Sequence, residues 1–304
     1  METKIKCGIC DEKLFKVIYK SKISDYKDSN YLISDSDYGK HPQIVRCMNC
    51  SLIYVNPREK RSNLEKHYLN LNDPDYQAES ENRALSFKKI LKKLENYKAD
   101  KGTILDIGCS TGIFLHEAEK LGWKTYGTDL SEWSINFAKN VYHLKNVFQG
   151  TLEKQKFKSN FFDCIVILDV IEHVTDPGKL LKEANRLLKK DGILCLVTPD
   201  IGSPTAKIMK ESWWHIRPPH LFYFTSHSIK KLLEKNNFSI LKKNRYTWYF
   251  SIDYLWKRVK KIKNPVFNFL NLLLEKTFIN MVKKWVVPVN LFDSMEVYAS
   301  KKNE

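Results

Sequence analysis

Three groups of residues in this chain stand at spacings that chemistry can use. Cys7-Gly-Ile-Cys10 and Cys47-Met-Asn-Cys50 are two C-x-x-C pairs. Each pair can form a knuckle that points two thiolates at one ion. Two knuckles complete a tetrahedral four-cysteine zinc site, with no ligand position left open for catalysis. The second group is the small-residue turn Asp106-Ile-Gly108-Cys-Ser110-Thr-Gly112, with Asp129 further along. Glycines let backbone approach a ligand closely, and an acid about 20 residues on can take two hydrogen bonds from ribose hydroxyls. The third group combines Asp169-Val-Ile-Glu172-His173 with the loop Trp213-Trp214-His215-Ile-Arg217-Pro218-Pro219-His220. Histidine titrates near working pH and suits proton transfer. His220 is the leading candidate base; His173 is a second, better suited to orienting the loop, and His215 is the weakest.

These residues need elements to hold them. Thr103 to Ile107 is a short apolar run that suits a buried strand. A helical pattern follows the turn, with Phe114, Leu115, Ala118 and Leu121 on one side, and a second strand from Lys124 to Thr128 ends on Asp129. A dinucleotide fingerprint starting at Gly108 would need glycines at 110 and 113, where Ser110 and Ile113 stand. With Asp106 leading, the turn instead resembles motif I of the class I S-adenosylmethionine-dependent methyltransferases, Ser110 taking the place of its middle glycine. Phe162 to Pro177, FDCIVILDVIEHVTDP, resembles the corresponding segment of the methyltransferases that include the ubiquinone-type O-methyltransferases.

The resemblance implies an S-adenosylmethionine site. Asp106, Gly108, Ser110 and Gly112 would surround the methionine part and the ribose, and Asp129 with Leu130 would hold the ribose. Many relatives carry an aspartate near Thr151; here backbone groups at Thr151 and Leu152 would hold the adenine. Asp169 would face the methyl donor from the end of its strand, and the W…P-x-H-L-x-x-F-T segment ending at Thr225 would border the acceptor pocket. The expected fold is α/β: a Rossmann-like seven-stranded sheet with helices on both faces, plus a small N-terminal zinc ribbon and a C-terminal helical insert. Ser131 is placed to cap the helix after Asp129. A helix from Asp176 to Lys190 is expected to stop at Asp191-Gly192, before a strand from Ile193 to Val197. Strands six and seven, Phe238–Arg245 and Ser294–Ser300, would form an antiparallel edge.

Around this core, residues 1–57 read as a zinc-ribbon module too poor in apolar residues to fold without metal. CMNCSLIYVNPR resembles the ribbon extension of sugar C-methyltransferases and of methyltransferases associated with polysaccharide synthesis. Residues 58–101 read as a helical connector covering the cofactor pocket, its second helix running from Tyr76 to Tyr97, with Tyr68 or Tyr76 closing the site. Residues 102–250 are the expected core, 251–293 a basic amphipathic insert and 294–304 the last strand and tail. The insert would pack as a lid or dimer helix, or lie on an anionic membrane surface.

The chain has 304 residues and a formal charge of +16, enough length for one large or two modest domains. Such a charge suits nucleic acid, an anionic surface or an anionic substrate, although lysines spread along helices also produce it. The N-terminus lacks an apolar leader and no apolar run spans a bilayer, so a cytoplasmic location, at most peripheral to the membrane, is expected. The leading expectation is methyl transfer to a small-molecule or saccharide acceptor, at oxygen, the acceptor being lipid-linked in one version. RNA methylation is the alternative, disfavoured because Leu168-Asp169-Val170-Ile171 is not an N-P-P-Y type sequence and no Pro-Cys nucleophile is present. A non-catalytic binding protein with the same fold is the second alternative.

Overall fold

A computed structural model of the chain describes residues 2–23, 31–32, 39–69, 72–73, 77–260 and 282–302. Tyr76 and residues 261–281 of the expected basic amphipathic insert lie outside the described residues.

The apolar runs became a seven-stranded sheet in the order Phe238–Arg245, Ser294–Lys301, Leu188–Pro199, Phe162–Leu168, Thr103–Ile107, Lys124–Asp129 and Val147–Gln149. The Ser294 strand is antiparallel to both neighbours, and the remaining ladders are parallel. Strand residues alternate between two cores. Ile104, Cys164, Val166 and Cys195 pack towards the helices Ser80–Glu95 and Ile113–Lys120. Leu105, Ile165, Ile167 and Leu196 pack towards Pro177–Leu187 and Ser226–Lys235. Burial on both faces explains why these strands read as continuous apolar runs. The expected α/β sheet with helices on both faces is therefore present.

Some boundaries differ from expectation. The helix capped by Asp176, whose side chain accepts from Lys179 N, ends at Leu187 rather than Lys190. Leu188 is fully buried and already paired with Phe162, and a register shift absorbs the residues before Ile193. Core burial of one leucine outweighs the polar stop three residues later. Leu121 lies beyond the helix it was assigned to and is 37% exposed, because the chain turns back at Gly122, where φ is +90°. Ser131 caps as expected, accepting from Ser134 N.

The N-terminal strands Phe15–Tyr19, Ile44–Cys47 and Ile53–Val55 form an antiparallel sheet that takes its fourth strand, Phe222–Tyr223, from the aromatic loop of the core. The segment 1–57 is thus not closed on itself. The helix Arg61–Leu69 follows it. At the other end, Trp248–Ser251 pairs with Val286–Val289 and leads into the helix Ile252–Lys260, so a small hairpin forms the base of the insert. Among the described residues no helix is long and apolar enough to cross a membrane.

Candidate functional site

In an open parallel sheet, ligands bind outside the carboxyl ends of the strands where the strand order reverses. Here the chain moves from the Thr103 strand outward to Lys124 and Val147, then returns to the other side with Phe162. A cavity of about 1170 Å³ opens at that point.

One half of the cavity is built by the small-residue turn. Gly108, Ser110 and Gly112 all adopt left-handed φ, at +77°, +48° and +81°. Ser110 thus keeps the backbone shape of a glycine-rich turn without the glycine, a conformation that costs an L-residue roughly 1–2 kcal/mol. Its N–H donates to Asp129 Oδ2 at 2.9 Å, which offsets part of that cost, and Ser131 N donates to Oδ1 at 2.8 Å. Both carboxylate oxygens of Asp129 are thereby aimed, each retaining a lone pair. Gly108 must lack a side chain, since a Cβ would fall 2.4 Å from Val170 Cγ2. Gly108, Ser110, Asp129, Leu130, Thr151 and Leu152 line this half.

Two expected members of this group stand elsewhere. Gly112 does not line the cavity: its missing Cβ makes room for Leu144 and Ala138, so it serves helix packing. Asp106 is also absent from the lining, held within its strand at 3% exposure with Oδ1 lacking a hydrogen-bond partner. Burial first, and the nearby Asp129 second, hold its carboxyl well above the usual range.

The other half gathers Asp169, Glu172, His173 and His220. Asp169 sits at φ +52° just past its strand; burial, opposed by Arg83 and reinforced by Asp293, raises its pKa to about 7. His173 Nδ1 lies 3.0 Å from the Tyr68 hydroxyl and 3.1 Å from Pro219 O, and its ring meets His220 edge-on at 4.6 Å. Burial, then the charge of Arg217, pushes His173 down to about 3. His220 is 5% exposed, and its Nδ1 has no partner. Burial and the surrounding His173, His215 and Arg217 drive its pKa far down, leaving a neutral imidazole. Glu172 Oε2 accepts from Thr198 Oγ1 at 3.0 Å while Oε1 is unpartnered. Beyond these groups the wall turns aromatic, with Trp214, Tyr246, Trp248, Phe250 and Tyr254. Tyr68, from the connector, also lines the cavity.

Sequence reasoning assigned no role to Glu172 or Tyr246. Glu172 was inside the D-V-I-E-H string, but nothing in the string says which polar residue turns inward. Tyr246 is buried, yet its side of the cavity is made by chain folding back from residues far along the sequence.

The four cysteines form a separate cluster. One ligand atom from each of Cys7, Cys10, Cys47 and Cys50 lies within 4.8 Å of the others, with Cys7–Cys50 sulfurs at 3.3 Å and Cys10–Cys47 at 3.5 Å. Burial pushes the Cys7 thiol up and raises Cys50 to about 11. A central dication is what would hold four such sulfurs as thiolates, and the donor set fits zinc.

Comparison with known proteins places this geometry. The chain is 35% identical over 115 residues to the ubiquinone biosynthesis O-methyltransferase of Pelagibacter ubique, covering 35% of this chain and 44% of that protein. It is 32% identical over 98 residues to the Bradyrhizobium diazoefficiens enzyme of the same name, covering 31% and 39%. The match spans less than half the length of these curated relatives. In fold it is similar to an S-adenosylmethionine-dependent methyltransferase from Archaeoglobus fulgidus, with a TM-score of 0.51 and 20% identity over 75% of this chain and 100% of the other. The PH0226 protein of Pyrococcus horikoshii is similar with a TM-score of 0.50 and 17% identity, covering 77% and 95%. Residues 78–243, more than half of the chain, match the family described as methyltransferase domain, and the chain belongs to this family of class I S-adenosylmethionine-dependent methyltransferases.

Proposed function

We propose that the enzyme methylates an oxygen of a small-molecule acceptor, with cofactor and acceptor held in the two halves of the one cavity. Asp129 would accept the ribose hydroxyls, helped by Leu130. The Gly108–Ser110 turn would border the methionine part, and Thr151 and Leu152 would border the adenine. Asp106 and Gly112 would act from behind, on the shape of the turn. Bound there, S-adenosylmethionine supplies a methyl group already activated by its sulfonium. The protein's task is then mainly alignment of the acceptor.

His220 would take the acceptor's hydroxyl proton on Nδ1, and His173, fixed between Tyr68 and Pro219, would orient it. The observation that carries the reading is the buried, unpartnered Nδ1 of His220 in the same cavity as the Asp129 turn. The names of the relatives support oxygen as the methylated atom. The aromatic wall suits an acceptor with an apolar part, and a lipid-linked saccharide is one such acceptor. Such an acceptor would bring the enzyme to the inner face of a membrane, where the basic insert within 251–290 would meet anionic lipid. The cysteine cluster would hold structural zinc, as in the ribbon-bearing methyltransferases that residues 1–57 resemble.

The test is a His220→Gln variant, screened with nucleotide sugars, glycolipids and phenols for labelled methyl transfer. Turnover should fall about 10²–10⁴-fold, the range for losing a general base, with S-adenosylmethionine affinity unchanged. Turnover equal to that of the parent would remove His220 as the base.

A further inference from the structure

We propose that the open end of the cysteine-bearing sheet is a docking face for an anionic phospholipid surface, with Leu14 and Met48 entering the lipid and Lys16 and Arg46 meeting its phosphates. The face lies outside the residues that match the methyltransferase domain, and the inference does not depend on what the cavity methylates.

Lys16 and Arg46 stand directly opposite one another in the ladder between Phe15–Tyr19 and Ile44–Cys47, and both are exposed. Like charges so placed repel and weaken a strand pair. Neither side chain has a hydrogen bond or ion pair among the described residues. The acids next to this stretch in sequence are engaged elsewhere. Glu12 Oε1 accepts from Lys13 N at 2.6 Å and from Leu14 N at 2.8 Å, and Asp11 lies 3.5 Å from Lys235. Phe15–Tyr19 is an edge strand, where a lysine guards against pairing with another chain, and that accounts for Lys16. It does not account for Arg46, whose strand is paired on both sides.

The flanking residues point to the partner. Leu14 is 69% exposed and Met48 63%. Met48 N donates to Leu14 O at 3.1 Å, so the two stand side by side at the end of the ladder. Each lies two residues from one of the cations, which the alternation of the pleat sets on the same side. Two unpaired cations and two large apolar side chains thus share one surface. A layer that is negative outside and apolar beneath satisfies both at once, removing apolar area from water while its phosphates separate the like charges. Single-stranded nucleic acid would match the cations, but such strands are held by stacking on aromatic rings, and neither flanking residue is aromatic. A second copy would set like charge against like, since the chain carries a formal +16.

The test is co-sedimentation of the full chain with phosphatidylcholine vesicles, with and without phosphatidylglycerol. Binding should be tenfold or more tighter with phosphatidylglycerol present. It should weaken as salt rises from about 0.1 M to about 1 M and the Debye length falls from about 10 Å to about 3 Å. One basic residue near an anionic surface contributes about fivefold, so joint Lys16→Glu and Arg46→Glu replacement should lower partitioning tenfold or more. Joint Leu14→Ser and Met48→Ser replacement should lower it severalfold. A Leu14→Trp variant keeps the charges and the ladder, and so reads the face even if a charge variant unfolds. Its fluorescence should shift further to the blue than the parent's when anionic vesicles are added. No preference for anionic vesicles, or a tryptophan shift no larger than the parent's, would overturn the proposal. Parental partitioning in both paired variants would also overturn it, since the basic insert would then make the contact. So would RNA-oligonucleotide binding or self-association abolished by the charge replacements, because the face would then serve another partner.

Discussion

With zinc in the cysteine cluster, as proposed, its removal should loosen the loop that carries His220 while leaving the Asp129 side of the cavity intact. The coupling is direct. Phe222 and Tyr223 pair with Tyr54 and Ile53, and Val55 N donates to Leu221 O at 2.9 Å. Gly8, inside the first knuckle, lies so close to the Phe222 ring that a Cβ would fall 3.0 Å from Cε1. Phe222 is 1% exposed. About three hydrogen bonds at roughly 1 kcal/mol each are at stake, before any loss of Phe222 burial. A local opening made about 3 kcal/mol easier corresponds to roughly hundredfold faster amide exchange. Hydrogen exchange on the full chain, with and without a zinc chelator and in a Cys47→Ser variant, should therefore show residues 220–223 losing that much protection. The strands Thr103–Ile107 and Lys124–Asp129 should hardly change, because their ladders lie within the central sheet. Unchanged protection at 220–223, or an equal loss across the whole sheet, would refute the coupling.

Asp129→Ala should weaken S-adenosylmethionine about a hundredfold by calorimetry, from the loss of two charge-assisted hydrogen bonds at about 1.5 kcal/mol or more each; an unchanged Kd would remove the ribose assignment. Ser110→Gly should raise stability by about 1 kcal/mol in urea unfolding, relieving the φ of +48°, and a clear loss would mean that the serine side chain matters more than the strain. His215, pushed by burial and then by Arg217 and Arg258 from 6.5 to about 3, stays unprotonated in the fold while the unfolded chain takes up a proton. Its share of stability is therefore complete above about 6.5 and is lost as pH falls towards 3. Between pH 7 and pH 5, His215→Asn should lose about 2 kcal/mol less than the parent, and parallel urea midpoints would show the ring to be ordinary.

Local pattern was enough to find the elements of the core. Apolar runs bounded by turn residues located most of its strands to within a residue or two, because strands buried on both faces must be continuously apolar; the exception is the strand expected at Ile193–Val197, which runs from Leu188 to Pro199. The knuckle cysteines and the Asp129 turn were legible for a similar reason: the spacing is itself the geometry. Where a long-range contact competes with a local signal, the local signal lost. Leu188 left its helix for the sheet despite Asp191-Gly192, and Leu121 ended outside a core it matched by period.

What tertiary structure alone decided is which polar atoms are left unpaired, and what they face. Residue types in the D-V-I-E-H string were plain, but that Thr198 takes one oxygen of Glu172 and leaves the other open depends on the turn after the Phe162 strand meeting the Leu188 strand. Likewise, the sequence by itself determined that a four-cysteine cluster would form near the N-terminus. Only folding decided that the sheet beside it would take Phe222–Tyr223 as a strand and so support the loop that carries His220. Backbone hydrogen bonding between strands more than 160 residues apart leaves no mark on either segment's composition, whereas the spacing of ligands and glycines around one site is written locally.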